Sequence, residues 1–317
     1  TSGSKVRITT DLLDTSAGTS LWARTFEYDL EETSLFEIED AVTSQVAGAL
    51  GDGLGVIFRR LHSENYRKYI RLSDVTNAVL SYNYAWTLQD HQAWSRTNDA
   101  VSEALVAHPD DALLTALQSN IYYADVVHAL NIVPDGQTRM RPLADKAVAL
   151  DPDLQVAQYN MVVQNAFAGD ATQCVEAARK VVALNPNNAR VLSGCAVATT
   201  SVGAYELGKG LIERAKQLNP QYPGWFFFID FVANFHRGQH EEAWANARLI
   251  ETPGLIWEPL TRAAALAKLG RIDEAQPFIE ELVQLKPDFK EKSRDYIKPL
   301  LVTDEHVDMI CDALSRC

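Results

Sequence analysis

Apolar and polar positions alternate along the first stretch of the chain and then change period. Val6, Ile8, Thr10 and Leu12 interleave with Arg7, Thr9 and Asp11, the two-residue period of a half-buried strand. Asp14-Thr15-Ser16-Ala17-Gly18 is turn chemistry, and Leu21 to Tyr28 resumes the alternation with Trp22, Phe26 and Tyr28 on one face beside Arg24. Ser34 stands three residues before Glu37, the spacing of a capping box, and Leu35, Ile38, Val42, Val46 and Ala49 follow at helical spacing. The opening therefore reads strand, strand, helix.

From Asp153 to Pro287 the pattern is helical and repeats. Leu150-Asp151-Pro152, Leu184-Asn185-Pro186, Leu218-Asn219-Pro220 and Leu285-Lys286-Pro287 punctuate it, with Glu251-Thr252-Pro253 standing as a weaker member, so that successive prolines are 34, 34, 33 and 34 residues apart. Inside each period a glycine separates two helical patterns, at Gly169, Gly203, Gly238 and Gly270. Glycine can leave a helix through positive φ and proline cannot continue one, so each unit reads helix, Gly turn, helix, Pro stop. A lone hairpin of this kind cannot bury its apolar face, whereas a stack buries a continuous core between neighbours.

The period, the small residue early in each second helix (Cys174, Gly208, Ala243, Ala275) and the proline after it resemble the tetratricopeptide repeat. The tryptophan and Leu-Gly of that family's first helix are mostly missing, which marks the repeats as divergent. The resemblance implies a mainly α fold, a right-handed superhelix of helical hairpins. A degenerate first unit fits Val75 to Pro109, and a second runs from Asp110 to Pro152 with extra length at Asn131 to Gln137. After Pro287, Phe289 to Leu301 and Val302 to Ser315 read as two capping helices, with Thr303 or Asp304 as N-cap.

The N-terminal residues carry a second resemblance. Val6-Arg7-Ile8-Thr9, Leu12-Leu13-Asp14, Gly18-Thr19-Ser20-Leu21-Trp22-Ala23-Arg24 and Tyr28-Asp29, followed by the helix from Leu35, are similar to the latter part of a TolB-like α/β domain. Such domains precede tetratricopeptide repeats in bacterial class III adenylate cyclases and CadC-like winged-helix regulators. The resemblance implies that the domain's earlier strand and helix would lie before Thr1; Thr1-Ser2-Gly3-Ser4 itself reads as an artificial edge or an internal cut. The expected organisation is a partial TolB-like segment and hinge over 1–55, about six repeats over 56–287 and capping helices over 288–317.

Composition narrows the function. A formal charge of −13 offers no basic surplus to neutralise phosphates, so duplex nucleic acid is not an expected partner. The basic stretch Arg59, Arg60, Arg67, Lys68 and Arg71 reads as a solvated face. No apolar run of about 18 residues is apparent, so no direct membrane insertion is expected. Cytoplasmic placement is expected unless a span lies upstream. Gly51-Asp52-Gly53-Leu54-Gly55 lacks the spacing of a phosphate cradle and reads as a hinge. Cys174 and Cys195 read as buried packing residues, and Cys311 and Cys317 fall on separated helix faces. His236 and His240 flank the Gly238 turn and share no face. With no His-Glu-x-x-His, Gly-x-Ser-x-Gly or P-loop, neither catalysis nor a metal or cofactor is expected.

What is left is a binding surface. Counting from each proline puts Tyr82, Trp86, Asn120, Tyr123, Tyr159, Arg190, Phe227, Phe231, Asn234 and Trp257 on the concave side. Aromatics with Asn and Arg suit recognition of a peptide or protein, since they offer large area, little entropy loss and directional polar groups. The expectation is a non-enzymatic scaffold, the sensory or regulatory half of a bacterial signalling protein, able to dimerise through its N-terminal hairpin. The alternatives are a freestanding assembly scaffold and a small-molecule sensor with an enclosed pocket.

Overall fold

The computed structural model describes residues 4–15, 18–51, 53, 55–58, 60–61 and 73–317. Lys5–Asp14 (β1) and Thr19–Asp29 (β2) pair antiparallel, with Ile8 opposite Phe26 and Leu12 opposite Trp22. Trp22, Arg24, Phe26 and Tyr28 are the more buried positions of β2, while Ala23, Thr25 and Glu27 are exposed, as the alternation predicts. Leu35–Gly51 (α1) is opened by the capping box: Ser34 N donates to Glu37 Oε2 at 2.8 Å, and Glu37 N donates to Ser34 Oγ at 3.3 Å.

The helix α1 meets the repeats at Gly48, where an added Cβ would stand 3.1 Å from the Leu218 Cβ. Ile38 and Ala49 are buried, but Leu35 and Phe36 at its start are 68% and 79% exposed. The apolar stripe expected of this helix is thus only partly covered by the described residues. The reading of membrane-span length is corrected as well. Taken together, Leu35–Phe58 is long and apolar enough to cross a membrane by length and composition, with mean hydropathy 1.3. Asp52 is the sole charged residue from Ala41 to Phe58, and small residues had masked the run. Gly51 closes α1, while residues 52 and 54 of the glycine stretch and Arg59, Arg67, Lys68 and Arg71 of the basic stretch lie outside the described residues.

Six helical hairpins follow among the described residues. They are Asp74–Leu88 (α2) with His91–Ala107 (α3), Ala112–Val127 (α4) with Gly136–Leu150 (α5), and Gln155–Phe167 (α6) with Ala171–Leu184 (α7). Ala189–Ser201 (α8) pairs with Tyr205–Leu218 (α9), Phe227–His236 (α10) with His240–Ala247 (α11), and Trp257–Lys268 (α12) with Ile272–Leu285 (α13). Phe289–Ile297 (α14) and Asp304–Leu314 (α15) cover the end of the stack, and Thr303 Oγ1 caps α15 by accepting from His306 N.

Both repeat marks act as the sequence implies. Gly169, Gly203, Gly238 and Gly270 all have positive φ, between 73° and 85°. The residue before each strong proline, at Asp151, Asn185, Asn219 and Lys286, leaves the helix with extended backbone, since the proline ring forbids it the α region. Where the mark is weak, at Glu251-Thr252-Pro253, the second helix α11 stops early at Ala247. The extra length of the second unit is a loop between α4 and α5, held by the Asp125 carboxylate, which accepts from Ile132 N at 2.8 Å and Val133 N at 3.1 Å.

The first helices face one another across the axis of the stack. Trp86 of the first unit reaches Trp225, which precedes α10, with ring centroids 6.1 Å apart. Trp257 Nε1 donates to His128 Nδ1 at 3.1 Å, and Lys286 Nζ donates to the Ala129 carbonyl at 2.6 Å. These contacts span more than a hundred residues and close the interior.

Candidate functional site

The expected concave surface is an interior. Tyr82, Trp86, Asn120, Tyr123, Tyr159, Arg190, Phe231 and Trp257 are all buried, and Phe227 and Asn234 are half-buried. The open groove expected from the register is filled, because the superhelix curves tightly enough for facing first helices to touch through aromatic side chains.

Five of the ten residues form one cluster. Tyr82 donates its hydroxyl to Asn120 Oδ1 at 2.6 Å and accepts from Arg190 Nη2 at 2.9 Å. Asn120 Nδ2 passes the chain on to Asn160 Oδ1 at 3.3 Å, and Asn160 Nδ2 reaches the Ala116 carbonyl at 2.7 Å. The Arg190 guanidinium carbon stands 3.9 Å from the Trp86 ring centroid, 5.6 Å from Tyr159 and 5.7 Å from Tyr82. Burial works against the Arg190 charge, yet Tyr82 and Tyr159 hold its pKa above the ordinary value. Burial pushes the Tyr159 hydroxyl up to about 12 and raises Tyr82 and Tyr123 too, so these phenols are neutral. Gly194 makes room for this ring: a Cβ there would fall 2.6 Å from Tyr159 Cζ.

The other residues lie apart. Phe231 packs between Phe228 and Phe235 as inter-repeat core. Phe227 turns to Lys216, whose ammonium sits 5.2 Å from its ring, and Asn234 Nδ2 donates to Asn246 Oδ1 at 2.9 Å. Trp257 and Tyr123 border, with Trp86 and Tyr159, a cavity of about 60 Å3 on the axis. Gln89, His128, Trp225 and Thr252 share that wall and escaped the reading of the sequence. Only Trp225 carried a signal, as part of the aromatic run from Tyr222 to Phe228; Gln89 and His128 sit at helix ends and Thr252 in a loop, where periodicity is silent.

Two further features lie outside the interior. A surface crevice of about 330 Å3 is bounded by Thr87, Leu88, Gln221, Pro223, Glu251 and Pro253, and a second of about 280 Å3 by Leu21, Trp22, Val56, Arg60 and Gln221. Gln221 belongs to both, so the hairpin and the repeat loops frame adjoining depressions. Elsewhere His306 ties the cap to the stack: its Nε2 lies 2.5 Å from the Tyr205 hydroxyl and its Nδ1 2.7 Å from Thr303 Oγ1. Burial, and then the neighbouring His236, hold the His306 pKa below the ordinary value.

No family model matches the sequence, and no curated protein matches it. Among solved structures, the chain is similar to a tetratricopeptide-repeat chain in the crystal structure of the APC/C hetero-tetramer Cut9-Hcn1, at 14% identity and a TM-score of 0.52. The match covers 90% of this chain and 56% of that one, so this chain spans little more than half the length of its structural relative. At that identity the likeness speaks for the fold alone, and the fold is a tetratricopeptide-like α-solenoid with a small N-terminal β-hairpin.

Proposed function

We propose that this chain is a non-enzymatic protein–protein interaction scaffold. The observation that carries the reading is the stack of six helical hairpins with its capping pair, an architecture whose repeats exist to present extended surface to partners. Because the bore is filled by the chain's own aromatics, the partner's place is the adjoining crevices framed by Leu88, Pro223 and Pro253 and by Leu21, Trp22 and Val56. Apolar walls with a polar rim suit an extended peptide segment. The Arg190 cluster then serves as the rigid interior that fixes the shape of those crevices. The N-terminal hairpin and α1, with their exposed apolar residues, serve as a self-contact in a signalling protein whose effector lies upstream.

The test is selection of displayed random peptides against the whole chain. The scaffold reading expects peptides that bind saturably and are lost in Trp22→Ala or Leu88→Asp. Failure to select any saturable binder, or binders indifferent to both substitutions, would sink it.

A further inference from the structure

The cavity on the superhelix axis measures about 60 Å3, several times the roughly 10–15 Å3 that one buried water needs. Trp86, Tyr123, Tyr159, Trp225, Phe228 and Trp257 make its wall aromatic, and among the described residues no Lys, Arg, Asp or Glu lines it. Five polar atoms on side chains of this same wall have no hydrogen-bond partner among the described residues: Trp86 Nε1, Gln89 Oε1, His128 Nε2, Trp225 Nε1 and Thr252 Oγ1. Each of these side chains belongs to a residue at least nine-tenths buried. A buried polar atom left unpaired costs about 1–3 kcal/mol, and folded interiors hold few of them. Five around one cavity need a common explanation.

Their chemistry is specific. Trp257 Nε1 can only donate, so His128 Nδ1 accepts that bond and the imidazole proton sits on Nε2. His128 Nε2 and Trp225 Nε1 are therefore donors, Gln89 Oε1 is an acceptor and Thr252 Oγ1 can be either. Backbone strain lies beside the same wall: Gln89 and Ala129, which follows His128, hold φ of 55° and 50°, a region that L side chains rarely adopt. Strain of this kind collects where structure is arranged around a ligand.

We propose that the cavity binds a small, uncharged, planar molecule of the azole class, about four to six non-hydrogen atoms in size. A flat ring stacks against the aromatic wall, its ring nitrogen accepts from His128 or Trp225, and its N–H donates to Gln89 Oε1 and Thr252 Oγ1. Such a ligand bridges the first unit, through Trp86 and Gln89, to the fifth and sixth units, through Trp225, Thr252 and Trp257. Its occupancy would stabilise the closed superhelix. This assignment rests on the cavity and its unpaired atoms and is independent of the scaffold reading.

Pyrazole is the probe, and cyclopentane, equal in ring size but without polar atoms, is the control. Calorimetric titration and thermal melting of the whole chain are expected to show saturable pyrazole binding with a raised Tm, at least tenfold tighter than cyclopentane. Val197→Phe, which fills the cavity, is expected to abolish the response. Thr252→Val, which keeps the shape and removes the hydroxyl, is expected to weaken it roughly 2- to 10-fold. Absence of saturable binding, equal binding of cyclopentane, or full binding by Val197→Phe each overturns the assignment. Should Val197→Phe not fold, unchanged affinity in Thr252→Val overturns it instead.

Discussion

The guanidinium of Arg190, at the start of the fourth hairpin, stacks 3.9 Å from the ring centroid of Trp86 in the first. A buried cation on an aromatic face, with Tyr82 accepting its Nη2–H, joins units that are far apart in sequence. Such a contact is worth about 2 kcal/mol or more when desolvated.

Arg190→Ala is accordingly expected to lower stability by about 2–4 kcal/mol, since it also strips a hydrogen bond from Tyr82. Arg190→Lys should recover only part of this, because an ammonium cannot reproduce the planar stack. Urea unfolding of the three chains checks it, and a fully rescued lysine variant would show that charge alone matters.

Two glycines of α9 separate packing from propensity. A Cβ at Gly208 would meet Thr200 Oγ1 at 2.1 Å and the Ala196 carbonyl at 3.1 Å, whereas one at Gly210 meets nothing within 4 Å. Gly210→Ala should therefore stabilise by about 0.5–1 kcal/mol, and Gly208→Ala should destabilise by about 1–3 kcal/mol. Melting curves of both variants decide it, and a stabilised Gly208→Ala would refute the tight hairpin contact.

Acid should weaken the fold between about pH 6.5 and 3. Burial pulls the His128 pKa down to about 3, and His306 is lowered by burial and then by His236. Unfolding releases each to an ordinary value near 6.5, so the unfolded chain binds more protons below that pH. The stability these residues contribute is present above about 6.5 and falls as pH drops, by up to about 1.4 kcal/mol per pH unit for each. Urea unfolding at stepped pH should show this slope, and His128→Gln should remove about one proton's share.

The N-terminal unit predicts self-association. Leu13, Leu35 and Phe36 are 56%, 68% and 79% exposed, and both strands of the hairpin have an unpaired edge among the described residues. Light scattering is expected to give about twice the 35.2 kDa chain mass, and Phe36→Asp to restore the monomer. A monomeric parent chain would leave the crevices as the place to seek a partner.

Much of the fold was legible because its signals are local. The Ser34–Glu37 box, the alternation around Phe26, the positive-φ glycines and the extended residue before each proline depend on a few neighbours in the chain. Even the irregular fifth unit showed in advance, through the weak mark at Glu251-Thr252-Pro253. The membrane-length run from Leu35 to Phe58 was missed because small residues dilute its apolar character.

The register puts Tyr82, Trp86, Tyr159 and Arg190 on one side of the stack, but it could not say whether that side was open; in the structure all four are buried. Periodicity reports which face a residue occupies; whether the face meets water or another helix depends on the curvature of the whole stack. That curvature sums small rotations at each hairpin interface, and it brings Trp86 to Trp225 and Trp257 to His128. The sequence alone therefore determined the hairpins, their order and their turns, through short-range sterics and capping. Only the tertiary structure decided that the concave side is a closed aromatic interior with a cavity, because that outcome belongs to contacts between residues more than a hundred positions apart.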